Sequence, residues 1–269
     1  MSVTNDEIIR VEKLTKIYDF EGTDLHTVLD DVSFVLHRGE SLGFIGESGS
    51  GKSVLMKCIG ARGRVTSGKI YLDGRNITHR KMKFLVRRTQ RKIQTVNQVA
   101  NMSFELDKHV DEVIENALKQ SGMNSAEAKA NVNKVLEYYG LDPDYADMFP
   151  YELSGGQCQR VALAKCLTVN PEVVIFDEAL SSLDGSSQLA LMDIIEKEKE
   201  KKNLSYMIIL HDLRMIRRMC DRVIVMQDGK IVEEGTPEEI IDNPKLEYTK
   251  NLVEGLMDEN IDFSFGFDE

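Results

Sequence analysis

The chain has 269 residues, of which 42% are hydrophobic, enough to bury a substantial core in one domain or in one domain with a subdomain. Its formal net charge of −11 argues against general binding of nucleic acids, which favour basic surfaces. No apolar run approaches the roughly 20 residues of a membrane span, so any attachment to a membrane is expected to come through another chain.

The N-terminal part of the chain has the pattern of β-strands. Two β-rich stretches, residues 8–18 and 28–45, are separated by the polar residues 19–26. Residues 69–74 add a strand and a turn that ends in Asp-Gly.

A glycine-rich loop follows directly after the apolar residues 42–45. Residues 46–53 have the sequence G-E-S-G-S-G-K-S, and the next residues have an apolar pattern fit for a helix. Glycines let backbone N–H groups turn towards phosphate oxygens, and the N-terminus of a helix favours anions. The loop therefore predicts a site for a nucleoside triphosphate, with Lys52 on the β- and γ-phosphates and Ser53 on Mg²⁺. The predicted nucleotide-binding residues of this loop are Gly46, Glu47, Ser48, Gly49, Ser50, Gly51, Lys52 and Ser53.

The middle of the chain is mainly helical in its pattern. The basic run at residues 80–92 predicts a helix with one solvated face. Residues 105–168 show helical spacing of apolar side chains, which predicts an inserted helical subdomain. Within it, residues 153–157 have the sequence L-S-G-G-Q. Ser154 can cap the helix that continues to residue 167, and two glycines remove side chains that would keep a phosphate from the backbone.

Two carboxylates follow the apolar run V-V-I-F at residues 173–176. This pattern is typical of a buried parallel strand that ends at the carboxyl edge of a sheet. Asp177 is predicted to hold Mg²⁺, directly or through water, and Glu178 to polarise a water for attack on the γ-phosphate. Further strands are expected at residues 206–210 and 222–226, the second joined by a hairpin to residues 230–232, and residues 258–269 are expected to be disordered.

These motifs, in this order, resemble the ATP-binding subunits of ABC transporters, and the resemblance extends approximately over residues 8–253. It implies an α/β fold: a P-loop NTPase core with an N-terminal antiparallel β subdomain and an inserted helical subdomain. It also implies that ATP joins two ATPase subunits. Each phosphate loop would be completed by Ser154, Gly155 and Gly156 of the opposite subunit, and Gln157 is a further predicted nucleotide-binding residue.

The resemblance supplies four further site residues. Tyr18 matches the aromatic side chain that stacks on adenine, although Phe20 is close enough to compete for this role. Gln98 matches the glutamine that touches the magnesium site and links it to the membrane partner. Asp184 ends a segment similar to the S-A-L-D loop that crosses between subunits, and His211 matches the histidine that contacts the γ-phosphate. Glu178, His211 and Gln98 are therefore the predicted catalytic residues, and Ser53, Gln98 and Asp177 the predicted metal ligands.

Within the family, Tyr248-Thr249-Lys250 and the sequence F-P-Y-E at residues 149–152 resemble the importer ATPases for oligopeptides, dipeptides and nickel or metal chelates. The predicted function is an ATPase that powers import of peptides or related solutes. The alternatives are nickel or metal-chelate import by the same subunit, a soluble ABC-type ATPase acting on ribosomes or DNA, and a P-loop kinase, in which the L-S-G-G-Q sequence would have no role.

The resemblance also implies partners and a place in the cell. A second ATPase subunit, identical or related, and two transmembrane permease subunits are expected, together with an extracellular solute-binding protein and no nucleic acid. The acidic N-terminus lacks the basic start of a signal peptide, and four cysteines without metal-site spacing indicate reduced thiols. The expected location is the cytoplasmic face of the cell membrane. The predicted ATPase domain covers residues 1–254, with a helical subdomain at about 99–168 and a flexible acidic tail at 255–269.

Overall fold

The computed structural model describes residues 6–19, 25–78, 83–97, 107–180 and 183–261. The chain forms two compact units, one made of residues 1–81 and 205–269 and the other of residues 82–204.

The first unit contains an antiparallel sheet with the strand order β2-β1-β4-β5. These strands are β1 (Glu7–Tyr18), β2 (His26–His37), β4 (Ser67–Leu72) and β5 (Arg75–Asn76). Ile9, Val11 and Leu14 of β1 are buried, so this sheet contributes one apolar face to the core. The β-rich N-terminal stretches predicted from the sequence are confirmed.

The first unit also contains a mixed sheet, in which β3 (Ser41–Ile45) pairs in parallel with β8 (Ser205–Ile209) and β9 (Arg222–Gln227). Every residue of β3 and β8 is buried, as expected for parallel strands covered on both faces. The predicted hairpin is confirmed, because β10 (Lys230–Gly235) pairs antiparallel with β9. Its turn residues Asp228 and Gly229 have φ of 48° and 76°, which suits a two-residue turn matching the twist of the strands.

In its described residues the first unit also has the helices α1 (Lys52–Ile59), α7 (Leu213–Met219), α8 (Pro237–Asp242) and α9 (Glu247–Ile261). Pro237 starts α8, and Thr236 forms a capping box with Glu239, a strong local signal for a helix start. The sequence pattern did not predict α8 or α9. Helix α9 continues to Ile261, within the segment 255–269 that was expected to be a flexible tail.

The second unit is mainly helical. Its helices are α2 (Lys83–Lys92), α3 (Val110–Ser121), α4 (Ser125–Tyr138), α5 (Gly155–Thr168) and α6 (Gly185–Lys202). Short 3₁₀ turns occur at Pro143–Asp147 and Pro150–Glu152. The predicted apolar face of α3 is confirmed, because Val113, Ile114 and Leu118 are buried. Strands β6 (Ile93–Asn97) and β7 (Val173–Asp177) pair in parallel, with Asn97 opposite Asp177 at their carboxyl ends.

A buried carboxylate joins three helices of the second unit. Glu198 of α6 is 1% exposed and accepts hydrogen bonds from the hydroxyls of Tyr138 (2.6 Å) and Tyr139 (3.4 Å). Lys202 pairs with the same carboxylate at 2.6 Å and donates to the carbonyl of Leu167 in α5. Burial opposes ionisation of Glu198, but hydrogen bonds from Lys202 and Tyr138 outweigh it and lower its pKa.

Candidate nucleotide site

The phosphate loop connects the end of β3 to the start of α1. Gly46 and Gly51 have φ of 148° and 99°, a backbone conformation that side chains rarely adopt. A Cβ on Gly46 would lie 2.2 Å from the carbonyl oxygen of Met226, and one on Gly51 would lie 2.7 Å from that of Val28. The neighbouring backbone therefore requires glycine at both ends of the loop.

The ammonium group of Lys52 lies inside this loop. Lys52 is 5% exposed, and its Nζ donates hydrogen bonds to the carbonyl oxygens of Gly46 (2.7 Å) and Glu47 (2.8 Å) and to Oγ of Ser50 (3.0 Å). These contacts hold the charge at the start of α1, where the helix dipole also favours an anion. The loop thus combines a fixed positive charge with turned backbone.

The N-terminus of α1 differs from those of α5 and α6 in its capping. Gly51 at its N-cap makes no side-chain cap hydrogen bond, whereas Ser154 and Asp184 cap α5 and α6. Backbone N–H groups at a helix start suit phosphate oxygens, so this end fits the phosphates of a nucleotide. Ser53, half-buried in the first turn of α1, offers a hydroxyl oxygen of the kind that Mg²⁺ accepts.

Tyr18 lies at the end of β1, opposite His26 of β2. Its side chain is 37% exposed, and Nζ of Lys16 lies 4.4 Å from the centre of its ring. An exposed ring at a strand end can stack on a purine, so the predicted adenine contact stays a prediction. Phe20, the competing aromatic residue, lies outside the described residues.

The predicted acidic pair lies at the carboxyl end of β7. Val173–Phe176 are buried, and both Asp177 and Glu178 are half-buried. Glu178 has a φ of 55°, a left-handed conformation that costs a non-glycine residue about 1–2 kcal/mol. Such strain persists where the surrounding structure fixes it, and it is frequent at functional sites.

The sequence did not single out Gln159, which supports the backbone on both sides of this edge. Its side chain is 2% exposed, and Nε2 donates to the carbonyl oxygens of Ala179 (2.6 Å) and Asn97 (3.2 Å). Ala179 follows Glu178 in the chain. Asn97 precedes Gln98, a predicted metal ligand and catalytic residue that lies outside the described residues. The one sequence signal for a buried role of Gln159 was its position on a helical face that is otherwise apolar, where a buried amide needs hydrogen-bond partners.

The L-S-G-G-Q residues form the predicted helix start. Ser154 and Gln157 make a capping box, in which Oε1 of Gln157 accepts the Ser154 N–H at 2.8 Å. Ser154 and Gly155 are both exposed. Among the described residues, no atom lies within 4 Å of the position that a Cβ of Gly155 would take, so the chain itself does not require this glycine.

Asp184 and His211 complete the predicted set. Asp184 is exposed and caps α6 by accepting hydrogen bonds from Ser186 Oγ (2.6 Å) and Ser187 N–H (2.9 Å), which lower its pKa. Residues 181–182, the start of the predicted S-A-L-D-like segment, lie outside the described residues. His211 is half-buried between β8 and α7, and the next residue, Asp212, caps α7.

The described residues contain no group of three or more His, Cys, Asp or Glu side chains that could hold a metal ion. Mg²⁺ at nucleotide sites is bound through one or two protein ligands and by the phosphates, so single oxygen ligands such as Ser53 and Asp177 fit that chemistry.

Comparison with known proteins decides the family. The family model described as "ABC transporter" matches residues 29–181. This chain belongs to the ABC transporter family. The family that the sequence motifs predicted is confirmed, and the chain is an ABC-type ATPase.

Relatives of this ABC-type ATPase include the methionine import ATP-binding protein MetN 2 of Bacillus cereus, 33% identical over 94% of this chain and 74% of the relative. The oligopeptide transport ATP-binding protein OppF of Bacillus subtilis is 35% identical over 85% of this chain and 75% of its own length. The dimeric post-hydrolysis structure of the ATP-binding cassette MJ0796 with ADP and Pi has a TM-score of 0.78 and 27% identity, covering 86% of this chain and 99% of that one. The predicted P-loop NTPase fold is therefore confirmed.

Proposed function

We propose that this ABC-type ATPase powers a membrane importer for peptides or related small solutes. The relatives named above are ATP-binding proteins for methionine import and oligopeptide transport, which supports an importer. Such an importer needs two paired ATPase subunits, and the observation that supports this pairing most directly is the capped start of α5. There Gly155 leaves open space that its own chain does not need, so a second subunit can approach the backbone.

In this proposal ATP binds to the phosphate loop, and a second subunit completes the binding site. Residues 46–53 hold the phosphates, and the ring of Tyr18 stacks on adenine. Ser154, Gly155, Gly156 and Gln157 contact the nucleotide of the opposite subunit. Asp184 lies in the segment that crosses between the subunits. Closure then assembles the catalytic site, and hydrolysis reopens it.

Mg²⁺ would be held by Ser53, Asp177 and Gln98, and when bound it neutralises charge on the phosphate oxygens. Glu178 orients and polarises the attacking water. His211 contacts the γ-phosphate as a hydrogen-bond partner.

The proposed partners are a second ATPase subunit, two transmembrane permease subunits and an extracellular solute-binding protein. None of the helices in the described part of the chain is long and apolar enough to span a membrane. We propose that the permease subunits hold the chain at the cytoplasmic face of the membrane. We also propose that the ATPase domain covers residues 1–254, with the helical subdomain at about 99–168.

The partners and the cargo can be tested together. The tagged full chain, purified from detergent-solubilised membranes, should bring with it two membrane-spanning subunits and an ATPase subunit. Cells carrying the natural chain or Lys52→Ala should then be compared for uptake of a labelled tripeptide, methionine and nickel. The proposal expects Lys52→Ala to abolish uptake of the peptide or methionine. Loss of nickel uptake alone would favour metal-chelate import, and companions limited to ribosomal proteins or DNA would contradict import altogether.

A further inference from the structure

A tyrosine of the C-terminal helix touches the phosphate loop. The hydroxyl of Tyr248, at the start of α9, accepts a hydrogen bond from the backbone N–H of Glu47 at 3.2 Å. It donates one to the carbonyl oxygen of Met226, at the end of β9, also at 3.2 Å. Burial raises the pKa of Tyr248, so its hydroxyl keeps the proton that it donates.

The peptide group that Tyr248 contacts is also the one that binds Lys52. The N–H of Glu47 and the carbonyl of Gly46 belong to one planar peptide group, whose two polar atoms point in opposite directions. Lys52 Nζ donates to that carbonyl at 2.7 Å. The same peptide group is therefore held on one side by Tyr248 and on the other by the ammonium that is proposed to bind phosphate.

A continuous series of hydrogen bonds thus connects β9, α9 and the phosphate loop. It passes from the Met226 carbonyl through the Tyr248 hydroxyl and the Gly46–Glu47 peptide group to Lys52. Connected hydrogen bonds polarise and strengthen one another. The carbonyl oxygen of Met226 also lies only 2.2 Å from the position that a Cβ of Gly46 would take, so the loop contacts this strand end closely.

The start of α9 is itself anchored by a buried carboxylate. Glu233 of β10 is 8% exposed and accepts hydrogen bonds from Thr249 Oγ1 (2.6 Å), Lys245 N–H (2.8 Å) and Leu246 N–H (3.3 Å). Burial opposes ionisation of Glu233, but these hydrogen bonds outweigh it and lower its pKa. Thr249, which is fully buried, adjoins Tyr248 in the chain, so the anchor fixes the residue that contacts the loop.

We infer that Tyr248 is a positioning residue of the nucleotide site, which orients the Gly46–Glu47 peptide group and through it Lys52. Thr249 and Glu233 hold Tyr248 in place, so docking of the C-terminal helix sets the affinity of the phosphate loop for ATP. This inference rests on the proposed role of Lys52 and assigns a function to the adjacent residues Tyr248 and Thr249.

Tyr248→Phe tests the inference, because it keeps the ring and removes only the hydroxyl. One net hydrogen bond corresponds to roughly a fivefold change in affinity, so binding of a fluorescent ATP analogue should weaken about fivefold in the full-length protein. Tyr151→Phe, at a side chain that is 63% exposed, is the matched control and should leave the affinity unchanged. In NMR spectra, the backbone amide resonance of Glu47 should shift in Tyr248→Phe and not in the Tyr151→Phe control.

Thr249→Val tests the anchor without touching the loop. It should weaken nucleotide binding by a similar factor, and adding Tyr248→Phe should cause less further loss than it does alone. Affinity equal to the Tyr151→Phe control, or a lower unfolding temperature with unchanged affinity in both variants, would overturn the inference. Lys52→Ala separates the two proposals: if it binds ATP normally, the proposed site is wrong, whereas weak binding by Lys52→Ala with normal binding by Tyr248→Phe refutes only the positioning role.

Discussion

Replacement of Gly155 by alanine should lower ATPase activity at least tenfold without destabilising the fold. Within the described part of the chain, no atom lies within 4 Å of the added Cβ, so no clash is expected. Alanine is favoured over glycine in a helix by about 0.5–1 kcal/mol, which in a protein of this size corresponds to a rise of a few degrees at most in the unfolding temperature. A methyl group at this exposed helix start would instead obstruct the proposed second subunit and its nucleotide.

The assay compares Gly155→Ala with a matched control elsewhere in the chain. Gly255 is also an exposed helical glycine, in α9, and no described atom lies within 4 Å of the position that its Cβ would take, so Gly255→Ala repeats the same chemical change. We expect ATP hydrolysis to fall at least tenfold in Gly155→Ala, about 1.4 kcal/mol in activation free energy, and to stay unchanged in Gly255→Ala. Gly156→Ala is a poorer test, because its Cβ would lie 3.1 Å from Ser187 Oγ.

Two outcomes would refute this reasoning about Gly155. Activity within twofold of the natural chain would mean that the open space at the start of α5 has no role in hydrolysis. A fall of several degrees in the unfolding temperature would mean that the glycine is needed by its own fold.

Three further changes test the loop and the core. Gly51→Ala should lower the unfolding temperature by about 5–10 °C, because its Cβ would lie 2.7 Å from the Val28 carbonyl at a φ of 99°; an unchanged melting curve would contradict this. Glu198→Gln should lower the free energy of unfolding by about 1–3 kcal/mol at pH 7, since it removes the charge paired with Lys202. The pKa of Glu198 is lowered in the folded chain, so its stabilisation is present above its unfolded pKa of about 4.3 and is lost as pH falls through the folded pKa. The free energies of unfolding of variant and natural chain, measured by urea titration, should therefore converge on acidification. If they differ as much well below the folded pKa as at pH 7, the charge of Glu198 is not what stabilises the fold. Lys52→Ala should weaken binding of a fluorescent ATP analogue at least tenfold, and unchanged affinity would argue against the phosphate-loop assignment.

Elements with complete local signals could be predicted from the sequence. The hairpin between β9 and β10 follows from Asp228-Gly229, whose positive φ values match the turn that this dipeptide favours. The start of α5 follows from Ser154 and Gln157, which form the expected capping box. In both places the residues that determine the structure are neighbours in the chain.

Elements that depend on distant contacts could not be predicted in this way. Strand β6 has only two apolar residues, Ile93 and Val96, and its pairing with β7 brings together residues that are far apart in sequence. The contact of Tyr248 with Glu47 spans 201 positions, and no periodicity or spacing encodes it. The supporting contacts were therefore missed, whereas the glycine-rich loop between β3 and α1 and the acidic end of β7 were predicted as local structure.

The most direct test of the account is to measure the molecular mass of the Glu178→Gln variant in solution with nucleotide, which shows whether two subunits pair. Because this change removes the proposed catalytic carboxylate but keeps the phosphate loop, light scattering with Mg²⁺ and ATP should detect a stable pair of ATPase subunits, and ADP should return single subunits. If the chain pairs only with a related ATPase, the pair should form once that subunit is added. Hydrolysis at the natural rate by Glu178→Gln, or full turnover by a chain that stays single in ATP, would contradict the proposal that two subunits enclose the nucleotide.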